Sequence, residues 1–193
     1  MVSGSFLIGL VLLLATPGPT NTLLALAGAT ARPRAAPLLI AELSAYLAAV
    51  IVLGAIAAAL GAGVENLRPW MQAAAALYLS WVAGRMWRSR PDPSGAGEVR
   101  PILVATTTLL NPKTLIIAFV LMPEGWSAEA EVAARHLLAM SLLVPLAGAA
   151  WFAGGRALAA TGGARVQRLI PRASALLLGL FAMTLAGRAL AGW

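Results

Sequence analysis

Cysteine is absent from this 193-residue chain, histidine occurs once, and only 11% of the residues are charged. Without cysteine there are no disulfides, no thiolate metal ligands and no cysteine nucleophile. The redox compartment is left open by that absence. His136, the single histidine, stands beside Arg135 at the start of an apolar stretch. One imidazole without partners makes no metal site, so His136 is read as a structural residue at the membrane interface. No nucleophile–base pair, phosphate loop or paired carboxylates stand in a catalytic context, so no enzyme and no cofactor are expected. The scarcity of charge matters most. A soluble domain is about half apolar and about a quarter charged, whereas 60% of this chain is hydrophobic. So much apolar surface cannot be hidden in one aqueous core, and the expected partner is the lipid bilayer.

What is present is a series of apolar stretches. A membrane-spanning helix needs about 20 mostly apolar residues, because ~1.5 Å per residue must cover ~30 Å of hydrocarbon. Six stretches meet or approach that length: 5–29, 35–62, 69–87, 102–122, 133–160 and 170–190. The first lacks a basic leader, because Met1 to Ser5 carry no charged side chain, and no small-residue cleavage site follows; it is expected to stay in place. The net charge of +7 would suggest nucleic acid in a soluble protein, but its placement explains it otherwise. Arg32 and Arg34 fall in the first connection, Arg85, Arg88, Arg90 and Arg100 in the third, and Arg156, Arg165, Arg168 and Arg172 in the fifth. The opposite side holds only Arg68, Arg135 and Arg188. The positive-inside rule puts the odd connections in the cytoplasm and both termini outside, with Glu124, Glu129 and Glu131 on the outer face. No nucleic-acid partner is needed.

The polar, Pro- and Gly-rich stretch from Arg88 to Pro101 is the one candidate linker. It divides the chain into repeats at 1–90 and 102–193, joined by a cytoplasmic linker at 91–101. Three spans per repeat is an odd number, so the second repeat enters from the opposite face and the two are inverted. The third spans also correspond, opening with Pro69-Trp70 and Pro171-Arg172. The expected fold is therefore an all-α membrane protein of six transmembrane helices in two inverted three-helix repeats.

The first and fourth helices should be broken at proline. Pro17-Gly18-Pro19 interrupts the first, Asn111-Pro112 the fourth, at matching places in the two halves. Proline lacks an N–H and crowds the carbonyl four residues back, which frees the carbonyls of Leu13, Ala15 and Thr108. Such groups persist in hydrocarbon only where protein or a wet cavity satisfies them. A helix restarting after Pro19 turns the N–H groups of Thr20, Asn21 and Thr22 toward the break, and Thr114 with its neighbours does so in the other repeat. Such positive ends suit a carboxylate. The competing reading is a pair of simple kinks. Two breaks with Asn and Thr beside them favour a binding site instead.

Glu42 and Lys113 are ionisable residues deep in apolar segments. A charge at the bilayer centre costs about 2.5–3.5 kcal/mol on insertion scales, so each should face the interior or a water-filled cavity. The pair is expected to approach or to share that cavity, with Glu42 as the coupling carboxylate, a proton or cation carrier. An interfacial place for Glu42 is the alternative. Runs such as Ala73 to Ala76, Gly148-Ala149-Ala150 and Gly154-Gly155 permit close helix packing, and a homodimer, without demanding either. Trp70, Trp87, Trp126 and Trp193 stand near span ends, where indole rings anchor at headgroups.

Thr16-Pro17-Gly18-Pro19-Thr20-Asn21-Thr22, followed by a short basic loop and then by Leu110-Asn111-Pro112-Lys113-Thr114, resembles the LysE/RhtB-type amino-acid exporters. That family pairs a proline-glycine-proline element with an asparagine-proline-lysine element. Ala75 to Trp81 with the exit Arg85 to Ser89, and Pro123 after the fourth span, extend the resemblance along nearly the whole chain. It implies a multi-pass protein of the bacterial inner membrane, exporting amino acids or related small zwitterions on the proton gradient or membrane potential. It also implies that Pro17, Gly18, Pro19, Asn111, Pro112 and Lys113 line the substrate path. One departure stands out: the family's second span opens with spaced glycines, and here the corresponding residues are Ala36, Glu42 and Tyr46. The rival expectations are a non-transporting membrane scaffold or accessory subunit, and an exporter of a cation or a lipid-linked substrate.

Overall fold

Long apolar runs fold as helices, and in this chain proline decides where several of them start. The computed structural model describes residues 2–29, 34–60, 68–88, 99–123 and 126–191. The helices are α1 (Gly4–Ala15), α2 (Pro19–Ala29), α3 (Ala35–Leu60), α4 (Arg68–Arg88), α5 (Pro101–Leu109), α6 (Pro112–Ile116) and α7 (Ala130–Ala191). A π-helical turn over Ile117–Leu121 continues α6, and one 3-10 turn, Trp126–Ala128, precedes α7. No strand occurs among the described residues. Proline opens α2, α5 and α6, the first-turn position where its missing N–H costs nothing. Ser3 caps α1, accepting from the Phe6 N–H at 3.3 Å.

Both expected breaks are present. α1 and α2 meet at 54°, and α5 meets the helix over Lys113–Leu121 at 51°. Among the described residues two helices are long and apolar enough to cross a membrane alone, α3 over Ala35–Ala59 and α7 over Ala130–Thr161. Counting each bent pair as one span raises the number to four. The chain is thus an all-helical protein with two to four candidate membrane spans.

Two expected spans turn out differently. The stretch 69–87 forms α4, which has the length but is too polar, with Gln72, Tyr78, Ser80 and Arg85 between its ends. The stretches 133–160 and 170–190, expected as separate helices, lie on one continuous helix, α7. The segment expected to connect them, 156–172, is rich in Ala, Leu and Arg, all strong helix formers. Its one glycine pair, Gly162-Gly163, is too weak a breaker to end the helix. At ~1.5 Å per residue α7 is on the order of 90 Å long if straight, about three times the hydrocarbon thickness. Residues 91–98 of the expected linker lie outside the described residues; Val99 is buried and Arg100 precedes α5.

The apolar packing falls into two clusters. One joins Phe6, Leu10 and Leu14 of α1 to Tyr46, Val50 and Leu53 of α3, Ile117 and Ala118, and Met140 and Val144 of α7. The other joins Leu23, Leu24, Leu26 and Ala27 of α2 to Leu38 of α3, Leu79 and Val82 of α4, Val104 of α5, and Ala175 and Leu178 of α7. Trp126 belongs to the first cluster: it is buried on Gly54 rather than placed at a headgroup, because Gly54 leaves the flat gap its ring fills. Trp70 and Trp87 are exposed, as an interfacial ring should be, and Trp193 lies outside the described residues.

Small residues let two backbones touch. Gly28 of α2 sits on the Phe152 carbonyl of α7, and Gly155 of α7 on the Ala25 carbonyl of α2. A Cβ at either position would collide with main chain. α2 is buried along nearly its whole length and packs chiefly against α7, which also receives α4, α3 and α1.

Candidate functional site

Between the two apolar clusters lies a polar layer. Along each chain segment the change from one cluster to the other happens at a polar or broken position. On α1–α2 that position is Thr16 to Thr22, on α3 it is Glu42, and on α5–α6 it is Thr107 to Thr114. Thr20, Asn21, Thr22, Glu42, Thr107, Thr108, Asn111, Lys113 and Thr114 are all buried. The layer therefore contains most of the site residues expected from the sequence.

At the first break the Leu13 carbonyl, bared by Pro17, and the neighbouring carbonyls of Leu14 and Thr16 find side-chain partners. Leu13 O accepts from its neighbour Thr16 Oγ1 at 2.7 Å. Asn21 turns its amide back across the break and donates to Leu14 O at 2.8 Å and Thr16 O at 2.9 Å. Trp151 of α7 donates through Nε1 to the same Leu14 carbonyl at 3.1 Å. At the second break Asn111 caps α6, its Oδ1 accepting from the Lys113 N–H at 3.0 Å. The Thr108 carbonyl accepts the Thr114 hydroxyl at 2.9 Å.

The breaks meet. Asn111 Nδ2 donates to Thr20 Oγ1 at 3.0 Å, and the Thr20 and Thr108 hydroxyls are 3.1 Å apart. Lys113 reaches from α6 to the other break, where its ammonium donates to the Thr16 carbonyl. Its stem lies on Gly18, where a Cβ would stand 2.8 Å from Lys113 Cε. Glycine at position 18 is thus explained by the lysine that crosses it.

Three expectations need revision. The Thr22 N–H already bonds Gly18 O at 2.8 Å and the Thr114 N–H bonds Asn111 O at 3.0 Å, so neither points freely at the break. The outward N–H groups narrow to Thr20 and Asn21 in the first turn of α2. Pro17 is exposed together with Thr16, whereas Gly18 and Pro19 are buried in the layer. For Pro112 the ring lies outside the described residues; only its place at the start of α6 is given. Finally, His136 is not interfacial but buried, edge-on to Phe6 at 4.7 Å, with Nδ1 2.8 Å from Val132 O. The cause is Phe6 of α1, whose ring covers a position that the sequence places at a helix end. No group of three or more metal-ligating side chains occurs among the described residues.

Glu42 is 1% exposed and faces the protein interior. Glu42 and Lys113 act on each other through their charges, yet form no ion pair within 4 Å. The Glu42 carboxyl packs instead against Gly148 of α7, beside Leu39 and Leu24, and a Cβ at Gly148 would strike Oε2. The glycine expected on α3 is therefore replaced by one on the opposite helix. Glu42 Oε2 and Tyr46 OH are both buried without a hydrogen-bond partner.

Trp151, Gly148 and the hydroxyl chain of α5 are parts of the site that the sequence reading passed over. Tyr78 of α4 bonds Thr106 Oγ1 and lies 3.3 Å from Thr107 Oγ1, next to the Thr108–Thr20 contact. The consecutive triplet Thr106-Thr107-Thr108 ahead of Asn111 was a visible signal. No known protein-family model matches the chain, and neither a curated protein nor a solved structure does.

Proposed function

We propose that the chain is a secondary exporter of amino acids or closely related small zwitterions, seated in a bacterial inner membrane. The observation that carries this reading is the joining of two broken helices in one buried polar layer between two apolar clusters. A polar layer at mid-span, built from interrupted helices, is the usual form of a transporter's substrate site. The Lys113 ammonium and the first turn of α2 supply positive charge for a substrate carboxylate. Glu42 supplies the opposite charge for an ammonium and serves as the coupling carboxylate. Thr16 and Pro17, at the exposed rim of the layer, mark one way in. The motif resemblance supports the same reading; its finer parts, inverted repeats with cytoplasmic odd connections and termini outside, require α7 to turn back on itself between Arg156 and Arg172.

The deciding experiment is whole-cell export profiling with and without the protein, with Lys113→Ala as control. Export of at least one amino acid should rise with expression and fall back about tenfold or more in the variant, the loss expected for one charged contact of about 1.4 kcal/mol or more. Glu42→Gln, which keeps the side chain's shape, should insert normally and lose gradient-driven export. Unchanged efflux of every amino acid tested would sink the proposal. A second reading, the non-transporting scaffold, draws on a specific observation: the Leu13, Leu14, Thr16 and Thr108 carbonyls already have partners within the protein. That reading expects Lys113→Ala to lower stability and to leave every efflux rate alone.

A further inference from the structure

Among the described residues four buried side-chain atoms lack a hydrogen-bond partner, Glu42 Oε2, Tyr46 OH, Arg135 Nε and His136 Nε2, and the first two lie on the same helix face. Glu42 and Tyr46 are one turn apart on α3, 1% and 0% exposed, and Glu42 Oε2 and Tyr46 OH each lack a hydrogen bond. Residues four apart on a helix are neighbours. A buried polar group without a partner has lost its water and gained nothing in return, so two together ask for a ligand. The surroundings narrow its chemistry. On the α7 side the carboxyl meets Gly148, beside the apolar side chains of Leu39 and Leu24. Tyr46 belongs to the apolar cluster that includes Leu10, Leu14, Val50, Ile117 and Val144.

We propose that Glu42 and Tyr46 together form a proton-binding site that excludes metal cations, with Gly148 making the room for the carboxyl. A sodium or calcium ion needs about six or more oxygen ligands, and among the described residues no second carboxylate joins Glu42 in a group of three or more metal-ligating side chains. The one cationic group whose charge bears on Glu42 is Lys113, which opposes a metal ion. α2 brings Leu24 and α7 brings Gly148 to the carboxyl, neither titratable; Tyr46 is the remaining titratable group. A proton needs no coordination shell. Loading forms one O–H bond on the carboxylate with a proton from a hydronium ion, which leaves as water; unloading reverses the step. The two groups do not bond each other in the structure; a side-chain rotation that joins them on loading lets the phenol accept from the acid or donate to the carboxylate. The assignment deepens the reading of Glu42 as the coupling group.

The site can be tested on purified protein that transports nothing. Dicyclohexylcarbodiimide adds to the protonated form of a carboxyl in apolar surroundings, and mass spectrometry locates the adduct. The expected result is one adduct on Glu42, declining as pH is raised, unaffected by sodium or calcium chloride, and absent in Glu42→Gln. In Tyr46→Phe, with folding checked by its elution from a sizing column, the pH midpoint should move by about half a unit or more. Protection by sodium or calcium, or no adduct on Glu42 at any pH, overturns the proposal. An unmoved midpoint in folded Tyr46→Phe overturns the pairing. Labelling as described with no efflux in cells would sink the exporter reading and leave the site standing. Efflux without labelling would do the reverse.

Discussion

Asn21 shows how much a single side chain settles here. Its amide closes the gap that Pro17 and Pro19 open, holding two carbonyls that helical bonding has abandoned. Asn21→Leu keeps the volume and removes both donors. Trp151 still serves Leu14 O and Lys113 still serves Thr16 O, so the loss is partial. Unfolding of the purified variant in detergent should show a loss of about 1–3 kcal/mol. Trp151→Phe removes one donor of the same set and should cost about 1 kcal/mol, and the double variant, which strips the Leu14 carbonyl of both donors, should lose more than the sum of the two. Fully additive losses would mean that the two donors act independently and that the shared carbonyl is unimportant. Glu42 is the opposite case at this scale. Its environment is made by a glycine on another helix, so the residue and the space for it come from different parts of the chain.

The elements that carry the site are short and held by others. α2 is the clearest example, because its backbone touches that of α7 at Gly28 and at Gly155. Such contact leaves no slack for the half-helix to slide along its neighbour. Gly155→Ala must push a Cβ into the Ala25 carbonyl and should destabilise by about 1–3 kcal/mol in thermal unfolding. Its chain neighbour provides the control. At Gly154 an added Cβ meets nothing within 4 Å, so Gly154→Ala should be neutral or stabilising by up to about 1 kcal/mol through helix propensity alone. Equal effects at both positions would show that the α2–α7 contact is not what these glycines are for. The π turn after α6 belongs to the same scale. By accepting the Met122 N–H at Ile117 O, 3.0 Å away, it lets the second half of a broken helix end beside α3 and α7.

For the molecule as a whole the open issue is the path of α7. A helix continuous from Ala130 to Ala191 carries Arg156 and Arg172 on one rod, both exposed. In the cysteine-free background, spin labels at Arg156→Cys and Arg172→Cys should report a backbone separation of about 24 Å, at ~1.5 Å per residue. A helical hairpin would bring them within about 10 Å, the spacing of packed helices, and would restore the separate fifth and sixth spans. Orientation is tested in the same background. A Ser94→Cys label should react from the cytoplasmic side only; reaction from the periplasmic side alone would invert the topology argued from the arginines.

Apolar runs and proline positions were enough to place α1 through α6 and both helix breaks. Periodicity, breakers and caps act within a few residues, so they are written locally. The likeness of the two breaks, and the pairing of Asn111 and Lys113 with the stretch around Gly18, were legible for the same reason. What no local pattern held was which bared carbonyl meets which side chain. Asn21 turning back on its own break, Trp151 arriving from α7, and Gly148 standing in for a glycine that α3 lacks are contacts between distant segments. The continuity of α7 was missed because arginines and a glycine pair resemble a connection, while Ala and Leu between them sustain a helix. Helix formation is local and cheap to encode. The satisfaction of buried polar groups is a property of the packed whole, and it exists only once the helices have met.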